Sequence, residues 1–141
     1  MKRTATVNWK GSGKEGKGTM STQSGVLKNS QYSANSRFEN GIGTNPEELI
    51  AAAHAGCFSM KFGFLLAAAG FTPENIDTKC TITLESGVIT ESHLEMKASI
   101  PNIDEAKFNE VVADAKVSCP VSKALNTNIT LEASLVKAVT A

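Results

Sequence analysis

Three cysteines and two histidines carry most of the nucleophilic and redox chemistry this chain can offer, and their settings differ. Cys57 lies inside the least polar stretch, Leu49–Gly70, which has the character of a buried helix. Cys119 lies in Ser118-Cys119-Pro120-Val121-Ser122. Proline disfavours the helical conformation at the residue before it, so Cys119 reads as the N-cap of a short helix. There, partial positive charge and free N–H groups favour a thiolate. The two thiols are 62 residues apart, far from any CxxC spacing. A thiol on a buried helix and a second at a helix start make an attacker and a resolver, if the fold joins them. That would be a thiol enzyme cycling through a disulfide. Taken singly, each has a plainer reading: a buried cysteine is ordinarily inert packing, and Cys119 is a structural cap. Cys80, on the core face of an alternating strand, reads as structural.

Local partners sharpen the case for Cys57. An apolar site raises a thiol's pKa unless a cation lies close. Lys61 at i+4 and His54 at i−3 are both within reach on a helix. His54 and Cys57 as base and nucleophile of a cysteine hydrolase is a weaker idea, because the spacing is crowded and no orienting Asn or Asp is near. His54, His93 and the scattered cysteines show no metal-ligand spacing, and no metal is expected.

Composition bounds the rest. A chain of 141 residues is one domain's worth, expected to span 1–141. Lys plus Arg and Asp plus Glu number 14 each, so no net field recruits nucleic acid or a charged membrane. The basic cluster Lys10, Lys14 and Lys17 is interleaved with glycine and reads as a solvated loop. Three cysteines are no disulfide scaffold, and Met1-Lys2-Arg3-Thr4 lacks the apolar stretch of a signal peptide. A cytoplasmic protein is expected. Leu49–Ala69 could pass for a membrane span, but Lys61 falls near its centre, where a charge costs roughly 2.5–3.5 kcal/mol. A helix apolar all round is then a central, buried one.

The elements that must position these residues follow from periodicity. Thr4–Trp9 alternates as a strand, Gly11–Gly18 is a loop, and Gln31–Glu39 predicts another strand carrying Tyr32, Arg37 and Phe38. Asn45-Pro46-Glu47-Glu48 is a helix start, with Asn45 as cap, Pro46 at the first helical position and Glu48 in a capping box. That helix runs to about Ala69 and stops at Gly70. Ile76–Glu85 and Val88–Ile100 flank Ser86-Gly87 as a β-hairpin. Asp104–Lys116 has helical spacing, capped by Asn102 with Glu105. Pro120–Leu125 is a short helix and Asn128–Val136 a last strand. The order predicts one α+β domain: N-terminal antiparallel strands, a long buried central helix, a hairpin, a second helix and a final strand.

These residues also resemble a known family. Gly16-Lys17-Gly18-Thr19-Met20-Ser21-Thr22-Gln23-Ser24-Gly25-Val26-Leu27, Arg37-Phe38-Glu39, the block from Thr44-Asn45-Pro46-Glu47-Glu48-Leu49 to His54-Ala55-Gly56-Cys57-Phe58-Ser59-Met60, Phe71-Thr72-Pro73, Ile76-Asp77-Thr78 and Cys119-Pro120-Val121-Ser122 are similar, in order, to the OsmC proteins. The likeness covers almost the whole chain. It is closer to the OsmC branch than to the organic hydroperoxide resistance (Ohr) branch, which usually has Gly-Tyr where this chain has Ala53-His54.

The resemblance implies an OsmC-like fold in an intertwined homodimer with sites at the interface. It implies a thiol peroxidase acting mainly on organic hydroperoxides, with no metal, haem or flavin. By motif, Cys57 is the peroxidatic thiol, Cys119 the resolving thiol, Arg37 the active-site arginine and Glu47 its partner. An external dithiol, of dihydrolipoyl type, would be the reductant. Without the resemblance, Arg37 reads as a surface partner of Glu39. Beside Cys57 it would favour thiolate and hold peroxide oxygen, and Glu47 would fix its fork bidentately. Ten helical residues between Glu47 and Cys57 rise roughly 15 Å. Either the helix breaks, or the two come from different subunits of a composite site. The competing reading is a non-catalytic homodimer binding a hydrophobic ligand along the central helix, which would need neither thiol.

Overall fold

The computed structural model describes residues 1–136. They fall into two compact units, Met1–Leu49 and a second beginning at Ile50. In the first, β1 (Ala5–Lys10), β2 (Lys17–Thr22) and β3 (Ser30–Tyr32) form an antiparallel sheet in that order. Trp9 pairs with Gly18, and Gly18 with Tyr32. The two rings lie 5.2 Å apart, and a Cβ at Gly18 would run into both.

The strand expected over Gln31–Glu39 ends at Tyr32. The chain then turns into a short helix, α1 (Ala34–Phe38), so Arg37 is helical rather than extended. Serine explains the difference. The Ser33 hydroxyl accepts from the Ser36 N–H, and the Ser33 N–H donates to the Ser36 hydroxyl, a reciprocal cap. Such local bonds compete with a sheet ladder. Helix α2 (Pro46–Ala68) opens as expected on Asn45, whose side-chain oxygen accepts the Glu48 N–H at 2.8 Å. Glu48 does not close the capping box; its carboxylate accepts from the Thr44 hydroxyl at 2.9 Å.

In the second unit α2 runs uninterrupted to Ala68, and Gly70 at φ +89° follows its end. Next come β4 (Asn75–Glu85) and β5 (Val88–Ser99), joined by Ser86 and Gly87, both at positive φ. That is the hairpin turn whose twist suits the strands. Helices α3 (Glu105–Ser118) and α4 (Pro120–Ala124) then carry the chain to β6 (Asn128–Leu135), parallel to β5 with Leu94 opposite Leu131. A parallel pair needs such a crossover. Asp104, not Asn102, caps α3 by accepting the Lys107 N–H at 2.7 Å; Asn102 occupies a left-handed turn at φ +68°.

Within one chain α2 is buried along one face. Only His54, Phe58, Phe62 and Leu66 are buried, a single stripe at four-residue spacing. Phe58, Phe62 and Leu66 pack with Leu94, Met96, Phe108, Val112 and Ala115 of β5 and α3. Phe62 meets Phe108 edge-on with centroids 5.9 Å apart. About 200° round the helix, Met60 and Phe64 are 65% and 67% exposed. A chain this size buries one face of a long helix and leaves the other apolar face open. By length and composition α2 is the one helix among the described residues apolar enough to cross a membrane, yet its stripe belongs to this core.

Candidate active site

Helix α2 presents Cys57, half-buried, one residue before the core residue Phe58. At the α3–α4 junction, Pro120 starts α4 and Cys119 becomes the cap of that helix, fully buried. The fold brings the two thiols close enough that each shifts the other's ionisation. Burial pushes the Cys57 thiol up, and its interaction with Cys119 pushes the same way, against a Val121 backbone bond and the charge of Lys61. Burial also opposes ionisation at Cys119. There the interaction with Cys57, the Ser122 N–H and hydroxyl and the Val121 N–H outweigh it, and the pKa falls. The neutral thiol makes no formed cap hydrogen bond; these donors favour the thiolate.

His54 does not serve Cys57. It is fully buried, with Nδ1 2.6 Å from the Ser92 hydroxyl and Nε2 2.8 Å from the Ser122 hydroxyl. Both ring nitrogens are occupied, which removes the cysteine-hydrolase dyad, and burial lowers the imidazole pKa. Cys80 packs against the core with its sulfur 3.2 Å from the Ser92 hydroxyl. Sequence reasoning missed Ser92 and Ser122 as partners. The available signals were a serine on the core-facing alternation of β5 and the serine three residues after Cys119.

Arg37 and Glu47 form their own pair in the first unit. Arg37 Nε donates to Glu47 Oε1 at 2.8 Å. The expected bidentate fork is not formed: Glu47 Oε2 is buried without a partner among the described residues. The guanidinium also lies 5.1 Å from the centroid of the Phe38 ring. Because α2 is unbroken, a break between Glu47 and Cys57 is not how the helix resolves their separation. Elsewhere, the β5–β6 register gathers His93, Glu95 and Glu132 with ligand atoms within 4.8 Å of one another, a grouping invisible to linear spacing. Both glutamates are exposed on the sheet surface.

A family model described as OsmC-like protein matches residues 38–134. The chain belongs to the OsmC family. It is 47% identical over 133 residues to Peroxiredoxin OsmC of Escherichia coli (strain K12), covering 92% of this chain and 93% of that one. Identity is 31% over 94 residues to organic hydroperoxide resistance protein-like 1 of Staphylococcus saprophyticus, covering 64% and 67%. Among solved structures, an OsmC-like protein of Mycoplasma pneumoniae superposes with a TM-score of 0.76 at 16% identity, covering 96% and 98%. The organic hydroperoxide resistance protein OhrB of Bacillus subtilis gives 0.63 at 25%, covering 94% and 98%. The α+β architecture is thus that of the OsmC family, as the motifs implied.

Proposed function

We propose that this peroxidase reduces organic hydroperoxides to alcohols through Cys57, with Cys119 as the resolving thiol. The observation that carries the reading is the interacting Cys57–Cys119 pair, assembled from 62 residues apart, one thiol on α2 and the other at the α3–α4 junction. A ligand-binding homodimer has no use for that pairing.

The Cys57 thiolate attacks the outer oxygen of ROOH. The S–O bond forms as O–O breaks, and the alkoxide leaves, taking a proton to become ROH. Cys57 is then a sulfenic acid. The Cys119 thiolate attacks that sulfur, hydroxide departs and is protonated to water, and a Cys57–Cys119 disulfide remains. An external dithiol, of dihydrolipoyl type, restores both thiols by exchange. No prosthetic group is needed for this thiol chemistry.

Arg37 is assigned to the charge developing on peroxide oxygen. Its Nε is held by Glu47, leaving the two terminal nitrogens to donate. Because α2 runs unbroken and leaves Met60 and Phe64 exposed, the proposed site is completed in a homodimer, Arg37 and Glu47 of one subunit serving Cys57 of the other.

The test is steady-state consumption of cumene hydroperoxide with dihydrolipoamide, wild type against Cys57→Ser. Dithiol-dependent turnover that disappears in the variant supports the assignment. Equal background consumption by both proteins sinks it and favours the binding homodimer.

A further inference from the structure

The Cys57–Cys119 chemistry leaves one buried feature unused: an imidazole held between two serine hydroxyls. His54, Ser92 and Ser122 are all buried, and they come from α2, β5 and α4 respectively. A histidine fixed at both nitrogens by hydroxyls is a costly way to fill a core, since every polar atom must be matched.

The hydrogen atoms can be assigned by following the donors. Ser122 stands at the third position of α4, beneath its Cys119 cap, and its hydroxyl favours the Cys119 thiolate. To donate there, the Ser122 oxygen accepts its other bond from His54 Nε2–H. Nδ1 is then bare and accepts from the Ser92 hydroxyl, whose oxygen faces the Cys80 thiol at 3.2 Å. A continuous run of hydrogen bonds links Cys80, Ser92, His54 and Ser122, and Ser122 lies three residues beyond the Cys119 cap. The titratable groups bearing on it are Cys80 on β4, His54 and Cys57 on α2, and Cys119 itself; Lys61 acts on Cys57.

We propose that His54 is a positioning residue for Cys119: its Nε2–H orients the Ser122 hydroxyl so that the hydroxyl proton points at the Cys119 sulfur and keeps that thiol ready to attack. His54 touches no reacting atom. It acts through Ser122, and Ser92 fixes the tautomer. The functional meaning rests on Cys119 resolving the Cys57 sulfenic acid; the donor geometry does not.

The experiment separates the two. In a Cys57→Ala, Cys80→Ala background Cys119 is the sole thiol, and its ionisation is followed by thiolate ultraviolet absorbance. Ser122→Ala should raise the midpoint by about one pH unit, as expected for losing a hydrogen bond to a charged group. His54→Asn places its amide near Nδ1 and cannot reach Ser122, so it should raise the midpoint likewise. His54→Gln places an N–H donor near Nε2 and should restore a midpoint close to the parent's. A plain packing role predicts no such Asn–Gln contrast. Equal midpoints in the parent, Ser122→Ala and His54→Asn overturn the proposal. If either His54 variant fails to fold by circular dichroism, Ser122→Ala decides alone, since it removes a single hydroxyl. With all three cysteines present, Ser122→Ala should slow disulfide closure about tenfold while leaving sulfenic acid formation on Cys57 unchanged. Failure of the peroxidase reading would appear instead as no peroxide-dependent sulfenic acid, whatever the midpoints show.

Discussion

Cys57 and Cys119 interact, and the interaction moves them in opposite directions: it holds the proton on Cys57 and favours the thiolate on Cys119. The two therefore ionise as a coupled pair. Removing either partner should draw the midpoints together. In Cys119→Ala, Cys57 loses the partner that raises it, and it should ionise at lower pH than the second step of the intact pair. In Cys57→Ala, Cys119 loses the partner that favours its thiolate and should ionise at higher pH than the first step. Thiolate absorbance titrations of the intact protein and both variants check this. Unchanged midpoints would mean the thiols do not interact.

Their division of labour gives a second expectation. Cys119→Ser should consume about one equivalent of hydroperoxide and then stall at the Cys57 sulfenic acid. Dimedone should label Cys57 in that variant and not in the wild type, where Cys119 traps the intermediate. Mass spectrometry of the labelled peptide reads the result. Labelling of both proteins to the same extent would remove Cys119 from the resolving role.

Much of this was legible in the chain. Period-two alternation gave β4, β5 and β6, and the Asn45-Pro46 start with the Gly70 stop gave α2, because these signals are local. The segment around Arg37 was not, since a Ser33–Ser36 cap overrode its β propensity. Nor was the open side of α2: composition reports an apolar helix but not which face one chain covers. The two cysteines and the Arg37–Glu47 pair were identifiable by motif. The juxtaposition of Cys57 and Cys119, and the serines that hold His54, depend on strand register and a helix junction, which only the tertiary fold sets.

Phe62 should be the most costly single truncation on the core stripe of α2. It is fully buried between Phe58 and the edge of Phe108. Phe62→Ala removes a ring from a packed site and should destabilise the fold by about 3–5 kcal/mol. Phe64, two residues on and exposed, should cost under about 1 kcal/mol as Phe64→Ala in a monomer, and more if that face is covered by a second subunit. Urea denaturation at two protein concentrations separates these cases.

Arg37→Lys tests whether a charge alone suffices. Lysine keeps the charge but loses the Nε–H that Glu47 holds and the fork that faces outward. Turnover should fall by about 10²–10³, the usual effect of removing one preorganised donor. Stability should change by less than about 1 kcal/mol, because the Arg37 side chain is 41% exposed. Peroxide kinetics and a denaturation curve on the same preparation give both numbers. Full activity in Arg37→Lys would leave the arginine no specific role.

His54 fixes how stability should depend on pH. Burial lowers its pKa in the folded state, so between that value and about 6.5 the unfolded chain binds a proton that the folded one refuses. Stability from this group is complete above about pH 6.5 and declines as the pH falls, with a slope of at most about 1.4 kcal/mol per pH unit for one proton. Carboxylates add their own loss at lower pH, so the window to examine is pH 5.5–7.5. Urea midpoints should drop across it in the wild type. In His54→Gln, which does not titrate there, the profile should be flatter even if the fold is weaker throughout. An equal slope in both proteins would place the proton uptake elsewhere and show that His54 can charge in its serine cage without opening the core.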